Sequence, residues 1–183
     1  WETVLLWVSW WKDSMVLWYL LNEYRKVVKD KFEIRWIYIF KEFLIDCDIN
    51  FEEKRKYFED VLNIPLEKVN INLPEESKLN DWVGQSCQWC AYARRIAMFK
   101  LCQKYNATKI AFGHHMDDIV VTTMMNMLEW RKLKIMPPVN KMSKWDITFI
   151  RPMAYIREKE LVTFVKQKEI PYSSCNCPVW ENT

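Results

Sequence analysis

A short polar stretch at residues 9–14, S-W-W-K-D-S, holds side chains that could act on a phosphorylated substrate. It follows an apolar run that begins at Val4, and it precedes Val16, Leu17, Leu20 and Leu21, which recur at helical spacing. A strand, a polar turn and a helix bring main-chain N–H groups and the positive end of a helix dipole to one point. The stretch therefore predicts a binding site for a phosphate chain.

A second polar stretch, G-H-H-M-D-D at residues 113–118, follows the apolar run 108–112. It contains the chain's only two histidines, His114 and His115. A glycine at a strand end, two histidines and two acids place imidazole and carboxylate groups at the ligand edge of a sheet. Asp117 has two interpretations, a helix N-cap or a ligand of Mg²⁺ on a triphosphate, and both stay open.

Cysteine spacing indicates a metal or cluster site. Cys87 and Cys90 form a C-x-x-C pair that is predicted to open a helix, where two thiols three residues apart can hold one metal ion or one edge of a cluster. Cys175 and Cys177, near the end of the chain, could supply the remaining ligands. The alternative is a structural zinc ion held by all four thiols.

The elements that must position these groups alternate along the chain. Strands are predicted from residue 4 and at 33–40, 69–73 and 108–112, and helices at 13–28, 50–62, from 87, after 118 and up to 168. Such alternation predicts an α/β fold with a doubly wound, mostly parallel sheet and helices on both faces. In that class, ligands bind beyond the carboxyl ends of the strands.

Length and composition limit the organisation and the surroundings of the chain. With 183 residues, half of them hydrophobic, residues 1–183 are expected to form one domain, which could be the core of something longer. A formal charge of +3 permits a nucleic-acid partner without requiring one. No apolar run of about 18 residues and no signal segment is visible, so we expect a cytoplasmic protein without a membrane partner.

The ratio of glycine to tryptophan is unusual. The chain has two glycines and eleven tryptophans, whereas average usage would give roughly a dozen glycines. Our hypothesis is that the sequence is altered, or that the gene is translated with the wrong code, since the codon UGA means glycine in some lineages and tryptophan in others.

Several stretches resemble the PP-loop superfamily, whose loop motif reads S-G-G-x-D-S. The string at 113–118, K-L-K-I-M-P-P at 132–138 and R-P-M-A-Y-I-R-E at 151–158 narrow the resemblance to the tRNA 2-thiocytidine synthetases, a branch of the iron–sulfur tRNA thiolation enzymes. The resemblance covers nearly the whole chain. It implies the fold of the PP-loop ATPases and the adenine nucleotide alpha hydrolases, which is the class that the alternation predicts.

The resemblance also implies a reaction and its residues. ATP adenylates the C2 oxygen of a tRNA cytidine, pyrophosphate leaves, and a sulfur nucleophile then displaces AMP to give 2-thiocytidine. Lys12, Asp13 and Asp117 are the implied catalytic residues, with Mg²⁺ on the carboxylates. The implied ATP-binding residues are Ser9, Trp10, Trp11, Lys12, Asp13, Ser14, Gly113 and His114.

The cofactor and partners follow from the same resemblance. Cys87, Cys90 and Cys175 would hold a [4Fe–4S] cluster whose open iron carries the sulfur, with Cys177 as the alternative ligand. The implied partners are tRNA, a sulfur donor (a cysteine desulfurase or sulfide) and a second copy of the chain in a homodimer. The basic residues expected to contact RNA are Arg94, Arg95, Arg131, Lys132 and Lys134.

One departure from the family motif bears on activity. Trp10 and Trp11 stand where the family has glycines, which reach positive φ without strain and let the backbone contact the ligand. We therefore expect ATP binding to be weak or absent. Two alternatives remain for the function: a 2-thiouridine-forming tRNA thiolase, and a non-catalytic, zinc-stapled module that binds RNA.

Overall fold

In the computed structural model, the chain folds into a six-stranded sheet with helices on both faces. The structure describes residues 2–28, 32–41, 51–61, 66–71, 83–130, 133–143 and 145–172. Its strands are β1 (Glu2–Trp7), β2 (Phe32–Lys41), β3 (Leu66–Ile71), β4 (Lys109–Ala111), β5 (Val139–Met142) and β6 (Ile147–Ile150). Its helices are α1 (Lys12–Val27), α2 (Phe51–Lys56), which continues into a π-helical turn (Tyr57–Val61), α3 (Val83–Tyr105), α4 (Met116–Trp130) and α5 (Glu158–Lys168).

The strand order places β1 at the point where the chain changes direction across the sheet. The order is β3-β2-β1-β4-β6-β5, and every neighbouring pair is parallel except β5 with β6. The chain moves outward from β1 through β2 to β3 and then returns to the other side of β1 with β4. In doubly wound sheets the crevice at this switch point, beyond the strands' carboxyl ends, binds the ligand. The loops after β1 and β4 both lie there.

Two apolar cores cover the two faces of the sheet, because successive side chains of a strand point to opposite faces. Val4 and Leu6 of β1 belong to the core beneath α1 and α5. Leu5, between them, belongs to the core beneath α3. All three side chains are 5% exposed or less, so β1 is buried on both faces, as a central parallel strand should be.

The predicted fold class is confirmed, with two differences in detail. Helix α3 begins at Val83, so Cys87 and Cys90 lie in its second and third turns and not at its start. The hairpin of β5 and β6 was not predicted. Its strands are only four residues each, and proline precedes the first of them. Asn50, where the second helix is predicted to begin, lies outside the described residues. The single domain 1–183 stays a prediction.

Within the described ranges, every helix is too short or too polar to traverse a lipid bilayer.

Candidate functional site at the switch point

The loop between β1 and α1 is folded around the Ser14 hydroxyl. This hydroxyl donates to the carbonyl of Trp11 at 2.9 Å, and it accepts from the main-chain N–H of Ser9 at 3.2 Å and from the Ser9 hydroxyl at 3.1 Å. The Ser14 side chain is 6% exposed. Both serines predicted to bind phosphate therefore also form hydrogen bonds within the loop.

Trp10 has the backbone conformation that favours glycine. Its φ angle is 63°, in the left-handed region, which is unfavourable for a bulky side chain. The indole is buried against Phe58, with ring centroids 5.1 Å apart, and against Tyr38 at 5.9 Å. Trp11 occupies the N-cap position of α1 without a side-chain capping bond and is 47% exposed. The loop thus contains one buried and one exposed indole.

Gly113 brings the loop after β4 against the start of α1. A Cβ atom at this position would lie 3.1 Å from the carbonyl carbon of Asp13 and 3.2 Å from the nitrogen of Ser14. Such distances are shorter than ordinary contacts, and the neighbours are main-chain atoms that cannot rotate away. Glycine therefore suits the close approach of two backbones here, and an added Cβ atom would push them apart by a few tenths of an ångström.

Lys12, the first residue of α1, lies between two carboxylates. Its ammonium is 2.9 Å from Asp13 Oδ1 and 2.9 Å from Glu158 Oε1, at the start of α5. Burial acts to lower the pKa of Lys12, but the bonds to Glu158 and Asp13 outweigh it and leave that pKa raised. The bond to Lys12 in turn lowers the pKa of Glu158. Lys12 is therefore a fixed positive charge at the helix start.

The two adjacent acids after β4 accept hydrogen bonds from the starts of two different helices. Asp118 accepts the main-chain N–H of His115 at 2.9 Å, which caps the first turn of α4. Asp117 accepts the main-chain N–H of Glu158 at 2.7 Å, which caps α5, and this bond lowers the pKa of Asp117. Asp117 is the second residue of α4, so it is not the N-cap of its own helix, and its carboxylate instead contacts the start of α5.

His115 is buried between these acids. It is 4% exposed, with Nε2 3.9 Å from Asp13 Oδ1 and 3.5 Å from Asp118 Oδ2, and with Nδ1 3.6 Å from Asp117 Oδ2. These contacts join the polar stretch after β1 to the one after β4. Imidazole and carboxylates thus meet at the ligand edge of the sheet, as their sequence positions predict.

His114, like Arg151, lines a cleft at this edge of the sheet. Burial is the main cause that lowers the pKa of His114, and the charge of Arg151 adds to it. The His114 ring lies 5.5 Å from that of Phe112, and its Nδ1 atom is buried with no hydrogen-bond partner among the described residues. A neutral imidazole with a free nitrogen can bind a polar ligand group.

Residues 133–138, which we call the strap, form one wall of a cleft at this edge. Two side chains hold the strap by its carbonyls: Asn126 donates to Lys134 O at 2.6 Å, and Arg151 donates to Pro137 O at 2.6 Å. The main-chain N–H of Arg151 also donates to Pro138 O at 2.8 Å. The proline-rich motif therefore acts by shaping the cleft.

The cleft has a volume of 870 Å³, within the range of ligand pockets. Its lining includes Ser9, Trp11, Asp13, Ser14, Gly113, His114, Arg94, Arg95, Lys134 and Arg151. Arg94 lies 4.7 Å above the ring of Trp7, at the carboxyl end of β1. A cleft of this size with basic walls suits a nucleotide and its phosphates.

Several predicted site residues are not brought together by the described part of the chain. Cys175, Cys177, Arg131 and Lys132 lie outside the described residues. Cys87 and Cys90 are three positions apart in α3, on one side of the helix, but beyond its first turn, where the helix dipole has little effect. Their assignment as metal or cluster ligands stays a prediction.

The carboxylates of the site suit Mg²⁺ that is bound to a nucleotide better than they suit a metal ion held by protein side chains alone. Within the described ranges, no three His, Cys, Asp or Glu side chains converge to hold a metal. Mg²⁺ on nucleotides, however, needs only one or two protein carboxylates and takes its other ligands from phosphate and water. Asp13, 23% exposed beside the cleft, fits that role, whereas Asp117 would have to release the N–H of Glu158.

Three residues at this site were missed as site residues in the sequence. Glu158 pairs with Lys12, Asp118 caps α4, and Arg151 holds the strap. Glu158 and Arg151 are part of the R-P-M-A-Y-I-R-E stretch, so the signal was present, but its distance of about 140 residues from the loop hid the contact.

Comparison with known proteins identifies the class. Residues 2–176 match the PP-loop domain family, and the chain belongs to that family. The chain is 33% identical over 192 residues to a tRNA-cytidine(32) 2-sulfurtransferase of Vibrio campbellii and 31% identical over 193 residues to one of Acinetobacter baylyi. Each alignment covers 99% of this chain and 60% of the relative, so the chain spans less than two thirds of these relatives.

Solved structures agree on the fold. The U34-tRNA thiolase NcsA of Methanococcus maripaludis, solved with its [4Fe–4S] cluster, superposes with a TM-score of 0.79 at 24% identity, covering 97% of this chain and 61% of that one. Phosphoadenylyl-sulfate reductase of Candida auris, in a phosphate complex, superposes with a TM-score of 0.57 at 8% identity, covering 97% of this chain and 82% of that one.

Proposed function

We propose that this chain is the PP-loop domain of an ATP-dependent tRNA sulfurtransferase that replaces the C2 oxygen of a tRNA cytidine by sulfur. The observation that carries the proposal is the junction of the two polar stretches at the switch point, where Lys12, Asp13 and His115 meet beside a basic cleft. The names of the relatives, tRNA-cytidine(32) 2-sulfurtransferases, support the substrate.

Different residues of the site have different roles in the first step, the adenylation of the cytidine. The α- and β-phosphates of ATP lie at the start of α1, where main-chain N–H groups and the Lys12 ammonium stabilise the charge that develops as pyrophosphate leaves. Asp13 binds the Mg²⁺ that accompanies the phosphates. The C2 oxygen of cytidine attacks the α-phosphorus, and the bond to pyrophosphate breaks. Because the base is thereby turned into an adenylate, AMP becomes its leaving group.

The basic residues of the cleft bind the RNA. Arg94, Arg95 and Lys134 line it, and side chains of this type contact the phosphate backbone without reading the sequence. Arg131 and Lys132 adjoin Lys134 in the chain and belong to the same proposal. The sulfur donor (a cysteine desulfurase or sulfide), the homodimer and the cytoplasmic location are further parts of it.

Cys87, Cys90 and Cys175 are the proposed ligands of a [4Fe–4S] cluster, with Cys177 as the alternative to Cys175. These three thiolates would hold the cluster, and the cluster would supply a binding site for the sulfide that is transferred. The [4Fe–4S] cluster of the fold neighbour NcsA supports this proposal.

Trp10 and Trp11 are proposed to suppress ATP binding in the chain as written. The φ of 63° at Trp10 and the exposed indole of Trp11 beside the cleft support this, since the loop's N–H groups must be bare to accept phosphate. They also support the hypothesis that glycine occupies these positions in the protein made by the source organism. Peptide mass spectrometry of that protein decides: a peptide with tryptophan at both positions refutes the misreading.

Mass spectrometry of tRNA nucleosides tests the function. A strain lacking its own 2-thiocytidine enzyme is complemented with this chain, or with the Trp10→Gly/Trp11→Gly variant, each expressed within the longer context of a relative. We expect 2-thiocytidine with the variant and little or none with the chain as written. Lys12→Met in the variant is the matched negative control. Absence of 2-thiocytidine with a folded, cluster-loaded variant contradicts the proposal.

The same measurement distinguishes 2-thiocytidine formation from the second candidate function, 2-thiouridine formation. The fold neighbour NcsA is a U34-tRNA thiolase, so a 2-thiouridine product would assign this chain to uridine instead. Iron and acid-labile sulfide analysis after anaerobic purification addresses the zinc-stapled RNA-binding module, which would contain neither.

A further inference from the structure

Glu158 joins the two polar stretches of the site, although it belongs to neither. Its carboxylate is 2.9 Å from the Lys12 ammonium, and its main-chain N–H donates to Asp117 at 2.7 Å. We propose that Glu158 is a positioning residue that holds the Lys12 ammonium at the start of α1 in the absence of nucleotide and gives it up to an arriving phosphate group. The second half of this statement rests on the proposed function, and the first half does not.

The two carboxylates on Lys12 are not equivalent. Asp13 is 23% exposed and follows Lys12 in the chain, whereas Glu158 is 52% exposed and comes from another helix. Of the two carboxylates on Lys12, Glu158 is therefore the more exposed to solvent. Both phosphate and carboxylate are anions that bind one ammonium, so Glu158 competes with the ligand for Lys12.

The local charge makes this competition strong. Lys12 contacts both Asp13 and Glu158, so one positive charge faces two carboxylates. Removing the Glu158 charge is expected to favour phosphate binding. Without the Glu158 contact, the Lys12 side chain can move about its four rotatable bonds. The Lys12 ammonium is then placed less accurately for the reaction.

Nuclear magnetic resonance of the lysine ammonium groups tests the positioning directly, without nucleotide. An ammonium held in ion pairs exchanges its protons slowly and gives a side-chain signal, which is assigned to Lys12 by its loss in Lys12→Arg. We expect this signal in the chain as written and its loss in Glu158→Gln. Glu160→Gln is the matched control, because Glu160 lies in the same first turn of α5 and pairs with Arg157.

Glu158→Gln is expected to leave the fold intact. The bond from residue 158 to Asp117 uses the main-chain N–H, which Glu158→Gln retains. A purely structural contribution of Glu158, as an acid in the first turn of a helix, would lower the melting temperature and leave the Lys12 signal in place. Persistence of that signal in folded Glu158→Gln overturns the inference.

Kinetics in the Trp10→Gly/Trp11→Gly background test the release to phosphate. Glu158→Gln is expected to lower KM for ATP about threefold and to lower kcat about tenfold, since it removes a competitor and disorders Lys12. A merely destabilised enzyme would show a lower kcat at an unchanged KM. If the background variant binds no ATP, the proposed function fails, while the resonance experiment still decides the positioning role.

Discussion

Gly113 lies against Asp13 so closely that a single added methyl group would stand 3.1 Å from the carbonyl carbon of Asp13. The two residues are 100 positions apart in the chain and follow neighbouring strands, β1 and β4. Their contact sets the spacing between the phosphate-binding loop and the histidine–aspartate stretch. This contact therefore shows how tightly the two parts of the site pack against each other.

Gly113→Ala should disturb this assembly. We expect a loss of about 1–3 kcal/mol in the free energy of unfolding, because main-chain atoms must shift to admit the Cβ atom. Thermal and urea denaturation measure the loss. The control is Asn106→Gly, at a turn with φ of 50°, where glycine is expected to change stability by less than about 1 kcal/mol. An equally stable Gly113→Ala variant would contradict the contact.

Asp117 should give the fold a component of stability that depends on pH. Its pKa is lowered from 3.8 by the N–H of Glu158, so the charged carboxylate favours the folded state. The contribution is complete above pH 3.8 and is lost as the pH falls through the lower folded pKa. Asp117→Asn, which keeps a capping oxygen but no charge, should lack this dependence. Melting temperatures of the two proteins between pH 2 and 7 would then converge at the acid end; parallel curves would exclude the effect.

Trp10 and Trp11 should respond differently to glycine substitution. Trp10→Gly removes a buried indole at a cost of about 3–5 kcal/mol and relieves about 1–2 kcal/mol of backbone strain, so the net effect is destabilising. Trp11→Gly removes an exposed side chain at an N-cap, where glycine is well tolerated, and should change stability little. Denaturation curves of the single variants measure both effects.

The double variant should gain ATP affinity despite its lower stability. Calorimetric titration with magnesium ATP is expected to show binding in the micromolar range for Trp10→Gly/Trp11→Gly and weak or no binding for the chain as written. Micromolar binding by the unaltered chain would refute the suppression by tryptophan.

His114 should remain neutral at neutral pH, and Arg151 should contribute to that. Burial lowers the pKa of His114, and the nearby guanidinium lowers it further, so Arg151→Met is expected to raise it. With two histidines in the chain, the ring signals are readily followed by NMR titration. Arg95→Met, another change of a cleft arginine, is the control; a shift of equal size there would rule out a specific effect of Arg151.

Cys102 should resist alkylation in the native protein. Its side chain is 2% exposed, and burial raises the pKa of the thiol to about 12, so the reactive thiolate is scarce. Mass spectrometry after iodoacetamide treatment at pH 8 should find Cys102 unmodified until denaturant is added. Modification at the rate of an exposed thiol would show that the core under α3 opens readily.

The sequence predicts the order of elements well because each is marked by its own residues. β1 is apolar on both faces, and α1 follows with apolar residues at helical spacing, so both emerge from local pattern. The hairpin of β5 and β6 has strands of four residues, too short for a pattern to stand out.

Long-range partners at the site are less accessible to sequence reasoning. That Asp117 lies beside His115 follows from its position, but its bond to Glu158 spans 41 residues and depends on how α5 packs. The pairing of Lys12 with Glu158 likewise depends on the sheet order, which local pattern does not specify. The sequence therefore predicts which chemical groups form the site, but it does not predict which of them contact one another.

The capping of two helices by two adjacent acids has an evolutionary consequence. Because Asp117 fixes the start of α5 directly, the position of Glu158 does not depend on the path of the chain between α4 and α5. Lengthening the turn at the tip of the β5–β6 hairpin would leave the ammonium of Lys12 where it is. That turn is therefore a place where new recognition loops can be added to this scaffold without retuning its chemistry.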